Sequence, residues 1–150
     1  MKIMSTYSVK IHEANKCFTE TSEQYRHAVK FFAKVVLREW KSISDEDTSL
    51  KKYNYVERLT IRTKNNPRPK YDFGNKFYKF PSYLRRAAIA EALGKVSSYK
   101  SNLANWEAKG RKGKCPGYPS AGNIYPAMYR DNTFVRTGTS GRGSLFRVHR

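Results

Sequence analysis

A long helical stripe is the feature that most limits the folds open to this chain. From Pro81 or Ser82 onward, apolar residues recur at the spacing of one helix face. The stripe comprises Leu84, Ala88, Ala92, Val96, Tyr99, Leu103 and Trp106. The pattern predicts one helix that runs to about Trp106 and needs other elements to cover its apolar side. Its small residues, Gly94 among them, indicate close approach by a neighbour, because glycine is unfavourable in an exposed helix.

Two further helices are predicted before it. Thr21 with Gln24 three residues later is a capping signal, and the apolar positions that follow have helical spacing: Tyr25, Val29, Phe32, Val36, Trp40 and Ile43. Because the aromatic residues of this helix share a face with aliphatic ones, we expect them in the core. A shorter helix follows with Asp47 or Thr48 as its cap. The prolines at 67 and 69 end it.

Two short segments have strand-like patterns. Residues 5–12 alternate apolar Tyr7, Val9 and Ile11 with polar side chains, as in a half-buried strand. Residues 128–135 flank a polar turn at 130–132, which predicts a hairpin that returns to the same sheet.

The charge of the chain is strongly positive and unevenly spread. The formal net charge is +18, to which residues 1–50 contribute +1, residues 51–100 +10 and residues 101–150 +7. Like charges repel in a compact chain, so this concentration predicts a polyanionic partner. An anionic membrane is the rival to nucleic acid, but no segment approaches the ~20 apolar residues of a spanning helix, and the first residues contain no hydrophobic signal region. We expect a soluble, cytoplasmic, nucleoid-associated protein without a membrane partner.

Bases and aromatic residues alternate in the loop that leads into the long helix, and a second basic loop follows that helix. Cations neutralise phosphates, and flat rings stack on unpaired bases. The predicted nucleic-acid-binding residues are Lys70, Tyr71, Lys76, Tyr78, Lys79, Tyr83, Arg85, Arg86, Lys100, Lys109, Arg111, Lys112 and Lys114. We expect them to form one surface that flanks the long helix. Phe77 and Phe80 are expected in the core instead. Lys30, Lys34 and Lys41 alternate with acids and are expected on a solvated face that does not bind.

The sequence contains no recognisable catalytic or metal site. Two-metal phosphoryl chemistry needs separated carboxylates, but residues 45–47 form one acidic run, and only Glu107 and Asp131 follow residue 100. The single cysteines, Cys17 and Cys115, form no zinc-binding pairs and are expected to be buried thiols or bystanders. The three histidines share no ligand spacing. We predict no catalytic residue, no bound metal and no cofactor.

Several motifs resemble a known family. Residues 80–88 and 98–106 are similar to the amino-terminal part of the TnpB/OrfB family, whose members are transposon-encoded, RNA-guided DNA nucleases related to type V CRISPR effectors. Residues 7–11, 24–26 and 125–132 extend the resemblance, so that it covers about residues 5–137.

The resemblance implies an α+β fold. In this fold a helical recognition lobe of three main helices, residues 15–108, is inserted into an incomplete small β-barrel called the wedge. Residues 1–14 would form the first wedge strand, and residues 109–137 the basic loop and the returning strands. Residues 138–150 are expected to be a flexible or atypical tail. The nuclease and zinc-ribbon parts of the family have no counterpart in this sequence.

The resemblance also implies partners. They are a guide-type structured RNA and double-stranded DNA next to a target, with a separately encoded nuclease half as a further partner. The chain would bind nucleic acid without cleaving it. Two alternatives stay open: the inactive product of a truncated or frameshifted transposon gene, and a free-standing, nuclease-dead DNA-binding repressor.

We therefore predict that the purified chain does not cleave RNA or DNA when magnesium or manganese is added, because the carboxylates that two-metal chemistry requires are missing from the sequence pattern. A gel assay with labelled single strands and duplexes checks this. Metal-dependent cutting that persists through repeated purification would contradict it.

Overall fold

Five helices and one β-hairpin make up the described part of the chain. The computed structural model describes residues 16–122 and 124 and the two strands at 134–140 and 143–148. The helices are α1 (Lys16–Arg38), α2 (Trp40–Ser44), α3 (Ser49–Thr60), α4 (Phe73–Lys76) and α5 (Ser82–Ala108). The strands β1 (Phe134–Ser140) and β2 (Gly143–Val148) pair with each other in an antiparallel hairpin.

The core lies mainly between α1 and α5. The buried side chains of α1 include Tyr25, Ala28, Val29, Phe32 and Val36, and those of α5 are Leu84, Ala88, Ile89, Ala92 and Val96. The small alanines of α5 allow the two helices to approach closely, and the larger side chains of α1 fill the space opposite them. The predicted long helix and the first half of its apolar stripe are confirmed. Beyond Val96 the stripe continues as half-buried Tyr99, Leu103 and Trp106.

The helix signals before α5 are also confirmed, with altered boundaries. α1 begins at Lys16, before the predicted cap at Thr21, and the single helix expected through Ile43 is interrupted at Glu39. Ile43 is nevertheless fully buried on α2. α3 begins after Thr48, whose side-chain Oγ1 accepts a hydrogen bond from the Lys51 N–H at 3.2 Å. This contact is the predicted cap, and it satisfies an N–H that would otherwise have no partner in the first turn.

The short helix α4 anchors the loop between α3 and α5. The Asp72 side chain caps it by accepting from the Asn75 N–H at 3.1 Å. Phe73 is buried, and its ring stacks on Phe32 of α1 at a centroid distance of 4.7 Å and on Phe77 at 4.6 Å. Phe80 packs edge-on against Phe73 at 5.5 Å. Phe77 is buried and Phe80 is half-buried, so the core positions predicted for both are confirmed. No local sequence pattern predicts α4.

The α+β class, with a helical lobe inserted in a wedge barrel, is wrong. In the described residues the core is built mainly from helices, with Phe77, Ala121 and Ile124 added from loops, and the two strands pair only with each other. The apolar faces of α1, α3 and α5 cover one another, so the packing of these helices does not call for a sheet. The expected strand at 5–12 and the turn at 130–132 lie outside the described residues. The division of the chain into four segments stays a prediction, although β2 lies in the tail, where the sequence indicates no strand.

Gly94 provides a test of the packing around α5. It is exposed, and a Cβ atom added to it would meet no described atom within 4 Å, so the predicted crowding at this position is not observed. We predict that Gly94→Ala raises the free energy of unfolding by ~1 kcal/mol, because alanine is the better helix former. Urea denaturation measures this change.

The matched control is Gly110→Ala. Gly110 has φ 68°, a left-handed conformation in which a Cβ is unfavourable by ~1–2 kcal/mol. This variant should be less stable than the parent. A destabilised Gly94→Ala would show that α5 is covered more closely at this point than the described residues indicate.

Candidate nucleic-acid interface

The turn at residues 77–80 presents an aromatic ring and a cation together. Tyr78 is 81% exposed, and Lys79 Nζ lies 5.3 Å from the centre of its ring. The Phe80 N–H donates to the Phe77 carbonyl at 3.4 Å, and Lys79, the third residue of the turn, has φ 54°. Glycine is the usual residue at such a position, since a side chain there is strained. Because strained backbone of this kind is concentrated at functional sites, the conformation of Lys79 makes this turn a candidate site.

Three of the predicted binding residues that lie before or at the start of α5 are engaged within the protein. Glu39 Oε1 accepts hydrogen bonds from Lys70 Nζ and from the Tyr71 hydroxyl, both at 2.6 Å. The bond from Lys70, followed by that from Tyr71, holds the pKa of Glu39 below its usual value. Arg85 Nη2 lies 3.5 Å from Glu57 Oε1, and its Nε atom is buried. These side chains hold the loop and the start of α5 in place.

The remaining predicted residues of this region differ in exposure. Tyr83 is half-buried against the core, whereas Lys76 and Arg86 are exposed. Because α5 begins at Ser82, Arg86 lies in the second turn of the helix, where a positive charge opposes the helix dipole. Tyr78, Lys79, Lys76 and Arg86 are therefore the members of the first predicted group that are available to a ligand.

The second predicted group lies in an ordered loop after α5. The Arg111 N–H donates to the Trp106 carbonyl and the Gly110 N–H to the Glu107 carbonyl, both at 2.9 Å. This pair of bonds, with Gly110 left-handed, forms a Schellman motif that ends the helix. Trp106 Nε1 donates to the Gly113 carbonyl at 3.2 Å and closes the loop. The loop thereby exposes four cations, of which Arg111 pairs with Glu107 at 3.9 Å: Lys109, Arg111, Lys112 and Lys114.

Aromatic rings accompany this group too. The Arg111 guanidinium lies 5.8 Å from the centre of the Trp106 ring. Tyr118 is 76% exposed and stacks on Tyr99 at 5.3 Å, and the adjacent Lys100 is half-exposed. The end of α5 thus combines cations and rings, as the start of α5 does.

The two predicted groups do not form one surface. Arg86 and Lys109 lie near opposite ends of α5. At 1.5 Å of rise per residue they are separated by about 35 Å along the helix axis. The expectation of a single basic surface is wrong, because the helix that links the two groups in sequence also separates them in space.

A third basic group, of which only Lys76 is among the predicted binding residues, surrounds a groove between α1 and the α4 segment. We call it the α1 groove. Its volume is about 470 Å³, its rim contains His27, Lys30, Lys34, Arg38 and Lys76, and no carboxylate of the described residues lines it. Lysines and arginine four residues apart on a helix repel one another by ~0.2–0.5 kcal/mol per pair. The expectation that Lys30 and Lys34 lie among acids does not hold for this face.

One part of this groove was detectable from the sequence. The four-residue spacing of Lys30, Lys34 and Arg38 places all three on one face of α1. The contribution of Lys76 was not detectable, because it depends on the packing of Phe73 and Phe77 that brings α4 against α1.

Within residues 16–122, no group of three or more His, Cys, Asp or Glu side chains could hold a metal ion. None of the described helices is both long and apolar enough to cross a bilayer. Cys115 is exposed and forms no disulfide, and the side chain of Cys17 lies outside the described residues.

Comparison with known proteins identifies a family. The model of the Aq_aa04 family matches residues 5–145. The chain belongs to this family. A relative described as "Uncharacterized protein aq_aa04" of Aquifex aeolicus (strain VF5) is 30% identical over 144 residues, which cover 85% of this chain and 81% of the relative. No solved structure matches the chain. Nothing in these matches links the Aq_aa04 family to TnpB/OrfB proteins.

The contacts of Glu39 predict a pH dependence of stability. Its pKa in the folded protein is below the ordinary value of 4.5, so its contribution is present above pH 4.5 and is lost as the pH falls through the lowered folded value. We expect Glu39→Gln to reduce the melting temperature at about pH 7, and this difference from the parent to shrink towards about pH 3.

Glu23→Gln is the control, because it removes an exposed carboxylate from the same helix. It should change the melting temperature little at either pH. A deficit in Glu39→Gln that is equally large at both pH values would show that the contacts of Glu39 do not depend on its charge.

Proposed function

We propose that this chain is a nucleic-acid-binding protein that holds structured RNA or duplex DNA without cleaving it. The observation that carries the proposal is the charge of the described part, in which residues 16–122 contain 23 Lys and Arg but only 10 Asp and Glu. Even if each of these acids neutralised one cation, 13 cations would have no acid from the same part. Such an excess is destabilising in the free protein and is relieved by a polyanion.

The placement of aromatic rings supports nucleic acid as the polyanion. Among the tyrosines that the structure describes, Tyr78 and Tyr118 are the most exposed, and each lies in a region that also exposes lysines. Cations that contact phosphates and rings that stack on bases are the usual combination in proteins that bind nucleic acid without strong sequence preference.

The separation of the two basic groups favours a structured partner over a small anion. The groups lie about 35 Å apart along α5, and a duplex stem of about ten base pairs would span this distance. The motif resemblance to TnpB/OrfB proteins gives the proposal a finer form, in which the partner is a guide-type RNA held beside target DNA in the nucleoid. This finer form rests on the sequence motifs alone.

The turn at 77–80 and the start of α5 provide the test. We predict that Lys79→Gln with Arg86→Gln lowers the slope of log affinity against log salt by about 2 for an RNA hairpin, because each lost phosphate contact removes about one unit. Fluorescence anisotropy at several salt concentrations measures the slope. We expect Tyr78→Ala to weaken binding by ~1–3 kcal/mol and Tyr78→Phe to be nearly neutral, because phenylalanine keeps the stacking face.

Lys41→Gln with Lys64→Gln is the matched control, since it removes two exposed lysines that line neither basic group. This control should lower the salt slope less than Lys79→Gln with Arg86→Gln does. Absence of binding by the parent chain at low salt, to hairpin RNA and duplex DNA alike, would overturn the proposed function. Equal effects of the two double variants would show that the charge acts diffusely.

A further inference from the structure

The α1 groove differs from the two predicted groups in shape and in composition. It is a concave site between two elements, whereas the cations around α5 lie in loops and on an exposed helix face. Its volume of about 470 Å³ lies within the range of ordinary ligand pockets. A group the size of a nucleotide can enter such a space, but a duplex is too wide.

The cations of the groove are arranged along a line. Lys30, Lys34 and Arg38 follow one face of α1 at intervals of about 6 Å, so that they span about 12 Å. This length matches the rise of three to four nucleotides in a helical strand, at about 3.4 Å each. Lys76 supplies a further cation from the α4 segment, and His27 lies one turn before Lys30. The line therefore suits a chain of phosphates better than a single anion.

The floor of the groove is apolar. Phe31, Val35 and Phe77 line it. Phe31 is half-buried, and its ring contacts Phe77 edge-on at 5.9 Å, so part of an aromatic surface is open beneath the row of cations. A charged groove with aromatic residues is the arrangement by which proteins bind single strands.

No side chain in the described part of the chain neutralises the cations of the groove. No carboxylate of the described residues lines it, and the carboxylate next to Arg38 in the sequence, Glu39, already accepts hydrogen bonds from Lys70 and Tyr71. The seven ion pairs found in the described residues include none of the cations of this rim. The positive charge of the groove is thus available to a ligand from outside the described residues.

We propose that the α1 groove binds a single-stranded polynucleotide segment, with its phosphates along Lys30, Lys34 and Arg38 and a base or sugar on Phe31. The inference rests on the proposed nucleic-acid binding but assigns a separate site for an unpaired strand. A structured RNA with a single-stranded extension would then contact the groove with its extension and the ends of α5 with its stem.

The test compares two triple variants of the full chain. Lys30→Gln with Lys34→Gln and Arg38→Gln removes the line of cations. Lys41→Gln with Lys64→Gln and Arg68→Gln removes the same charges from exposed positions outside the groove. Glutamine has a helix propensity similar to that of lysine and arginine, so both proteins should fold, which circular dichroism checks. The probe is a labelled strand of about ten uridines, a length within the site size of such grooves.

We expect the groove variant to bind the strand at least about tenfold more weakly than the parent and to lower its salt slope by about 2, since each phosphate contact to a single strand contributes about 0.7. The control variant should lose much less. Affinity for a blunt RNA hairpin should change less than affinity for the strand. A matching strand of thymidines distinguishes the two sources of phosphodiester, because only RNA offers a 2′-hydroxyl.

Several results would overturn the inference. One is an equal loss of strand binding in both triple variants. Another is uridine monophosphate displacing the strand at concentrations near the strand's own Kd, which would indicate a mononucleotide pocket. Loss of hairpin binding by the same factor as strand binding would place a duplex there, and groove-dependent binding to phosphatidylglycerol vesicles would indicate a membrane. If the parent binds the strand and the groove variant is unaffected, the proposed function stands and this inference fails.

Discussion

The stack of Phe73 between Phe32 and Phe77 is the contact on which the rest of the surface depends. The two stacked pairs have centroid distances of 4.7 and 4.6 Å, and Phe73 is almost fully buried. Rings of this size bury a large apolar area and add a favourable stacking term. The stack fixes the segment between α3 and α5 against α1. Without it, neither Lys76 beside the α1 groove nor Tyr78 and Lys79 in the following turn would have a defined position.

Three acids of the described residues hold distant segments of the chain together. Glu39 holds Lys70 and Tyr71, Asp72 pairs with Arg62 and caps α4, and Glu57 lies beside Arg85. A cation held in one of these ion pairs is not available to contact a ligand. The cations left over gather in three places: around the start of α5, in the loop after α5 and along the α1 groove. The cations that stabilise the fold are therefore different from those that we propose bind nucleic acid.

Sequence periodicity predicts the main helices but not how they pack against one another. The apolar spacing of Leu84 to Val96 identifies α5, and Thr48 is recognisable as a cap, because both signals are local. α4 has only four residues and is stabilised by the burial of Phe73, which no local pattern reveals. The barrel was expected from motif resemblance, and in the described residues the helices pack on one another instead.

In the candidate site, too, local features can be predicted from the sequence and long-range contacts cannot. Exposure of Tyr78 and Lys79 follows from their place in a basic, aromatic loop. The engagement of Lys70, Tyr71 and Arg85 does not, because their acidic partners, Glu39 and Glu57, lie about thirty residues earlier in the chain. The sequence places Lys30 and Lys34 on a solvated face, since it does not show which side of α1 meets α4. Long-range packing thus decides which cations remain available.

Lysine reactivity provides the most direct test of the central claim. This claim is that defined groups of cations bind nucleic acid. The full chain would be acetylated briefly with and without a saturating RNA hairpin that carries a single-stranded extension, and each lysine would be quantified by mass spectrometry. The account predicts protection of Lys30, Lys34, Lys76 and Lys79, with Lys41 and Lys64 unchanged as exposed references. Uniform protection of all exposed lysines, or none at saturation, would contradict it.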